Sequence, residues 1–383
     1  MSDVPFPVPR YGEAALADVM PSVLAALEAG GDNRLGLEPA ARVVVVLVDG
    51  LGLVGLRQFA DAAPFLSSMA CSELTAGFPS TTVTSLASLS MGVPAGEHAM
   101  TGYTTYLDDL GEVINWLAWK PVGSGDDLRD QIVPETVQES PTMWRRAADA
   151  GVAVTIANAR QFEDSGLTRA VFGGGRFDGA IANGDAIAMI GEAVERGHRS
   201  LVYGYLSELD LVGHVRGPGT DAWVAQLALV DRHLAVLADR LPPGTLLLVT
   251  ADHGMVDMPA EQTIDADAAE SPLRDGVLAL AGEPRMRHVH ARPGAAADLL
   301  ATWRELLGDR AWVISRDDAI AAGLFGPVVT PIATARIGDV LAIARDGLGI
   351  VQRKRESRLS SLPGHHGGLT DGELLVPLLS MVR

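Results

Sequence analysis

The sequence predicts an α/β protein with a mainly parallel central sheet, covered by helices on both faces, and a smaller α+β cap insertion. Three observations predict it. Apolar runs of strand length, RVVVVLV at 42–48 above all, show no alternation with polar residues, as strands buried on both faces require. These runs alternate with longer amphipathic stretches, the rhythm of βαβ units. After about Met258 the elements become shorter and charge denser, until GELLVPLL at 372–379 reads as a strand returning to the main sheet. Residues 1–258 and 362–383 are therefore expected to form the core, and 259–361 an insertion of domain-like size.

Taken in order, the strand at 42–48 should be followed by a helix within GLRQFADAAPFLSSMA, 55–70. Further strands are expected in SELTAGF (72–78), VAVTIAN (152–158), TRAVFGG (168–174), RSLVYGYL (199–206) and GTLLLVTADHG (244–254). Between them PTMWRRAADAG (141–151), GDAIAMIGEAVERG (184–197) and DAWVAQLALVDRHLAVLADRL (221–241) read as helices. In the insertion, EPRMRHVHARPG (283–294) is expected as an exposed strand carrying Arg285, Arg287, His288 and His290. RIGDVLAIARDG (336–347) reads as another strand with Asp339 at a turn, and ESRLSSLPGHHGG (356–368) as a long loop.

Composition narrows the partners. A formal net charge of −18 over 383 residues argues against a nucleic-acid polymer, whose phosphates attract basic surfaces. It does not argue against a small anionic substrate, because bound cations reverse the local field. The single cysteine, Cys71, excludes an intrachain disulfide. The opening MSDVPFPVPRYG lacks a basic segment followed by an apolar one, and the apolar run at 43–48 is far below the ~20 residues of a membrane helix. A soluble, cytoplasmic protein without a membrane partner is expected; nothing in the sequence sets its oligomeric state.

Three aspartates end apolar strands or follow them closely: Asp49, Asp210 and Asp252. Ligands of open parallel sheets collect at the strands' carboxyl ends, so the three should share one rim. Any one of them alone would read as a helix N-cap. The histidines change that reading. His214 stands four residues after Asp210, on the same face of a helical turn, His253 adjoins Asp252, and His365 and His366 sit in a glycine-flanked loop. Carboxylates mixed with imidazoles suit zinc, or manganese with more oxygen. A further dense patch, GFPSTTVTSLASLSMG at 77–92, carries seven hydroxyls, and a hydroxyl needs an activating partner before it can act as a nucleophile.

The ordered set VVVVLVDGLG, FPSTTVTSLASLSMGVPAGEHA, ELDLVGH, VTADHGM and HHGG resembles the alkaline phosphatase superfamily, and most closely its type I phosphodiesterase and nucleotide pyrophosphatase branch. The resemblance runs from Asp49 to Gly368, nearly the whole chain. It implies an alkaline-phosphatase-like core that holds two divalent metal ions, zinc foremost and manganese as the alternative. It assigns Asp49, Asp252 and His253 to one ion, with the nucleophile oxygen, and Asp210, His214 and His366 to the other, leaving His365 outside. The branch's threonine stands three positions after the proline of its F-P pair, which is Thr82 here; Thr81 is the neighbouring alternative. A small-molecule phosphoester would then be cleaved through a phospho-threonine intermediate.

Two cations and three aspartates leave one positive charge, which suits a phosphodiester or pyrophosphate. A phosphatase acting on monoesters on the same site, and a metal-binding protein with an inactive site, are the competing readings. The branch's asparagine after its HG segment is missing from EHAMTGYTTYL, so Tyr103, Asn115 or Lys120 would have to contact the substrate in its place. His98 reads as structural.

Overall fold

The computed structural model describes residues 5–137 and 140–383. Its central sheet has seven strands in the order Ala70–Thr75, Leu375–Val382, Thr245–Thr250, Arg42–Val48, Ser200–Leu206, Ala153–Ala159, Arg176–Ala180. The most apolar run takes the middle place. Arg42–Val48 is parallel to both neighbours, with Val45 in register with Tyr203 on one side and Leu248 on the other. Residues 43–48 are all buried, as the unbroken valine run predicts. Leu375–Val382 alone runs against the other six strands, antiparallel to both its neighbours. It leaves the carboxyl-end rim directly after the one-turn helix Asp371–Leu374, and so can only return in the opposite sense.

Two local expectations are corrected. TRAVFGG at 168–174 is not a strand: a helix covers Gly166–Val171, and the edge strand is Arg176–Ala180. Buried Leu167, Ala170 and Val171 recur at helical spacing, and the Ser165 side chain caps the helix by accepting from the Thr168 amide. The stretch 55–70 is broken into Leu53–Gln58, a 3-10 turn at Ala60–Ala62, and Pro64–Ser68. Pro64 has no N–H to continue the preceding helix, so it starts a new one.

A second, wholly antiparallel sheet orders its strands Val277–Glu283, Met286–Ala291, Val340–Ala344, Ala311–Ser315. The helix Ala296–Leu307 buries Leu299, Trp303 and Leu307 in a cluster with Val289, Val313 and Ile350. Asp339 does stand just before a strand, bound to Arg316 at 2.6 Å and to the Ala291 amide at 2.8 Å. The strand expected to be exposed is not. Met286–Ala291 has a neighbour on each edge, Arg285, Arg287 and His288 are completely buried, and His290 is nearly so. Arg285 pairs inside with Glu373, Arg287 with Glu356 at 2.8 Å, and His288 Nε2 with the Thr101 carbonyl at 2.8 Å, while Arg287 Nη1 and His290 Nε2 are buried without a hydrogen-bond partner among the described residues.

A three-stranded piece, Thr104–Leu107, Glu112–Asn115 and Lys120–Pro121, lies against the Val277–Glu283 edge through the Thr104 hydroxyl, which donates to the Gly282 carbonyl at 2.8 Å. Among the described residues no helix is long and apolar enough to cross a membrane.

Candidate active site

The carboxyl-end rim of the central sheet collects the predicted residues. Asp49 follows the middle strand directly, Asp252 stands two residues beyond Thr245–Thr250, and Asp210 lies in the first turn of the helix Glu208–Arg216. Gly50 makes the turn after Asp49 with φ +73, and a Cβ there would come within 3.0 Å of the Asp210 Cα. His214 lies one helical turn beyond Asp210, its Nε2 3.4 Å from Asp210 Oδ2. His253 Nε2 is 3.4 Å from both Asp49 Oδ1 and Asp252 Oδ2, and His366 Nε2 is 4.0 Å from Asp210 Oδ1. The rings of His253 and His366 stack at 3.5 Å, joining the two groups into one cluster.

Each of the three histidines is held the same way. Nδ1 faces a backbone carbonyl, Gly364 for His214 (2.7 Å), Gly254 for His253 (3.1 Å) and Ser80 for His366 (3.0 Å). These contacts assign the proton to Nδ1 and turn the Nε2 lone pair toward the aspartates, the orientation seen when histidine binds a metal.

Electrostatics point the same way. Burial, then the neighbouring Asp49, pushes Asp210 up to about 7; burial, then Asp210, does the same to Asp252. Asp49 is raised well above its ordinary value by burial and by Asp252, although the Tyr205 hydroxyl donates to it. Burial pushes His253 down to about 3, and burial with the nearby His253 and His214 lowers His366 strongly. Asp49 Oδ1, Asp210 Oδ1 and Asp252 Oδ2 are buried with no hydrogen-bond partner. Three orphaned acceptors facing neutral imidazoles are poor company for one another and good company for cations. Ligand atoms of Asp210, His214 and His366, and of Asp49, Asp210 and His253, lie within 4.8 Å of one another, so the residues fit divalent ions.

The seven hydroxyls of 80–90 separate cleanly. Ser80 donates to the Gly368 carbonyl, Thr84 to Met100 and Ser85 to Asp252, at 2.7, 2.9 and 2.7 Å. Ser88 meets His98 Nε2 at 2.9 Å, Ser90 accepts from the Trp144 indole at 3.0 Å, and Thr81 bonds Glu283. All six are buried. Thr82, half-buried, opens the helix Thr82–Met91, and its Oγ1 lies 3.1 Å from His253 Nε2. First-turn amides of a helix lack partners within it, which adds donors beside that oxygen.

Of the three residues offered for the missing asparagine, two meet: Asn115 Nδ2 donates to the Tyr103 hydroxyl at 2.6 Å. Burial, then Glu356, raises the Tyr103 phenol to about 12, so it stays protonated. Lys120 pairs in register with Asn115 and lies in electrostatic range of Asp127 on an exposed loop. His365 pairs with Val256 in a short bridge while His366 faces the cluster. Sequence reasoning missed Tyr205 and Glu283. Glu283 is buried 3.6 Å from His366 Nδ1, and Tyr205 donates to Asp49. A lone carboxylate ending the apolar run VLALAGE was the available signal for Glu283.

The His253 loop tolerates little. A Cβ on Gly254 would lie 2.0 Å from the Gly372 carbonyl oxygen and 2.8 Å from the Gly52 Cα, both backbone atoms. Gly254→Ala is therefore expected to displace His253 and lower the protein's affinity for zinc at least about tenfold; an unchanged zinc titration would show that the loop yields instead.

A model of the type I phosphodiesterase / nucleotide pyrophosphatase family matches residues 43–369. The chain belongs to this family. The match takes in every aspartate, histidine and threonine of the cluster. This family member is also 33% identical to a phosphopentomutase of Anaeromyxobacter dehalogenans strain 2CP-C over 118 residues, 30% of this chain and 28% of that protein. The matched stretch thus spans under a third of the curated relative. In fold it is similar to inactive murine ectonucleotide pyrophosphatase / phosphodiesterase 5 in complex with AMP, with a TM-score of 0.69, 17% identity and coverage of 88% and 87% of the two chains. It is likewise similar to phosphonoacetate hydrolase of Sinorhizobium meliloti 1021 in complex with phosphonoformate, with a TM-score of 0.64, 20% identity and coverage of 89% and 90%. The central sheet of this chain is mainly parallel, as the sequence predicts.

Proposed function

We propose that the protein hydrolyses small phosphodiesters or pyrophosphates, with Thr82 as nucleophile. The observation that carries the reading is the accessibility of Thr82 beside His253, against six buried and bonded neighbours. Two divalent cations, zinc or manganese, held by Asp49, Asp252 and His253 and by Asp210, His214 and His366, would acidify the attacking hydroxyl and neutralise the phosphoryl charge. Thr82 Oγ1 forms a bond to phosphorus as the ester P–O bond opposite it breaks, releasing the leaving alcohol or phosphate. Water then attacks the phospho-threonine from the vacated side and returns Thr82. The helix that begins at Thr82 directs its first-turn amides to the nonbridging oxygens. Tyr103, held by Asn115 and kept protonated, offers one more donor in place of the family's asparagine; Lys120 has the weaker claim of the three.

Charge favours the diester. Arg285 and Arg287 are taken up by Glu373 and Glu356, so neither supplies the extra cation that a monoester dianion calls for. The test is turnover of bis-p-nitrophenyl phosphate and of p-nitrophenyl phosphate by one zinc- or manganese-loaded preparation. The diester should be cleaved faster. Faster monoester cleavage would make the protein a phosphatase, and no turnover of either with two metals bound would make it a metal-binding protein with an inactive site.

A further inference from the structure

We propose that Arg285 and Glu373 are positioning residues, a buried pair through which the Val277–Ala344 region holds the His366 loop against Asp210 and His214. The inference rests on the two-metal reading above and concerns what keeps one half of that site in place.

Glu373 is completely buried and accepts four hydrogen bonds. Two come from Arg285, Nε to Oε1 and Nη2 to Oε2, both at 2.9 Å. The others come from the Gly368 amide at 2.9 Å and the Thr370 hydroxyl at 2.6 Å. Arg285, also completely buried, is anchored on its far side by the Leu348 and Ala344 carbonyls. A planar, two-pronged guanidinium fixes a carboxylate in orientation as well as in place.

From Glu373 the contacts run straight to the metal-binding groups. Gly368 approaches so closely that a Cβ on it would lie 2.8 Å from Glu373 Oε2. The Gly368 carbonyl accepts from the Ser80 hydroxyl, Ser80 and Gly367 form an antiparallel bridge, and the Ser80 carbonyl faces His366 Nδ1 at 3.0 Å. Ser80 stands two residues before Thr82. Glu283, on the strand paired with that of Arg287, adds a second hold by bonding Thr81 and lying 3.6 Å from His366 Nδ1. His214 rests on the same loop through the Gly364 carbonyl, whereas His253 rests on the carbonyl of Gly254, whose amide donates to the Glu373 main chain and not to its carboxylate. Loss of the pair should therefore loosen the His366 half of the site first.

The test uses the full chain with Arg285→Lys and Glu373→Gln. Thr370→Val serves as a milder variant that removes one donor to Glu373 and keeps the ion pair. Amide hydrogen exchange across 364–370 in the metal-free protein should quicken in all three, least in Thr370→Val. Zinc titration calorimetry should show one equivalent weakened by about 10–100-fold and the other unchanged. Unaltered exchange at 364–370 would overturn the proposal. So would equal weakening of both equivalents in step with a lower melting temperature, the mark of a clamp that merely stabilises the fold. Wild-type protein binding a single equivalent would count against the two-metal reading, while the exchange comparison would still decide the role of Arg285 and Glu373.

Discussion

Thr82→Ala is expected to reduce turnover of bis-p-nitrophenyl phosphate by about 10³-fold or more, without unfolding the protein. The size of the effect follows from what surrounds the hydroxyl. Thr82 is half-buried at the first turn of its helix and touches His253 Nε2, so alanine removes the attacking oxygen and little packing. Thr82→Ser keeps an oxygen at the same carbon and should retain a measurable part of the rate. The neighbouring hydroxyls supply the control. Thr84→Val leaves the buried Met100 carbonyl without its donor, and should cost about 1–3 kcal/mol of stability while the rate per folded molecule changes little. Steady-state kinetics beside denaturant unfolding separates the two outcomes; full activity in Thr82→Ala would end the proposed role.

The second large effect concerns metal and pH together. In the metal-free protein burial, the main cause in each, pushes Asp210 and Asp252 up from 3.8 to about 7 and raises Asp49 well above its ordinary value. A carboxyl whose folded pKa is raised favours the folded state while it is protonated, and that contribution is lost as pH rises through the folded value. Metal-free protein should therefore lose this contribution as pH rises from about 4 to about 7, the span between the ordinary and the raised carboxyl values. The histidines act with the opposite sign. Burial lowers His98, His253, His290 and His365 to about 3 and His288 to about 4, so these rings are neutral when folded and take up protons on unfolding below about 6.5. Their contribution is lost as pH drops through that range, so they oppose the carboxyls over the same span. Zinc or manganese should remove the carboxyls' loss and steepen the rise of melting temperature from about pH 4 to 7, because the cations favour the ionised aspartates and bind only the folded site. Differential scanning calorimetry from pH 4 to 9, with and without metal, checks this. An equally steep rise from pH 4 to 7 in chelated and metal-loaded protein would mean that the three carboxyls are not crowded as their geometry requires.

The legible parts of this chain are those where chemistry is local. A valine run without alternation has one stable place, the middle of a sheet covered on both faces, and Arg42–Val48 occupies it. Asp210 and His214 share a face because four residues make about one helical turn. Where two local patterns competed, the weaker signal misled: TRAV suited a strand by composition, yet its apolar spacing and the Ser165 cap made a helix.

By itself the sequence determined the α/β class, the order of the strand-end aspartates and the threonine opening the helix, because each depends on neighbours along the chain. Only the tertiary structure decided which hydroxyl of seven stays accessible, that Tyr205 and Glu283 enter the site, and that Arg285 and Arg287 are buried. Those outcomes depend on contacts between residues as distant as Ser80 and Gly368 or Arg285 and Glu373, and no local pattern records whether a polar group will find its partner there or meet water.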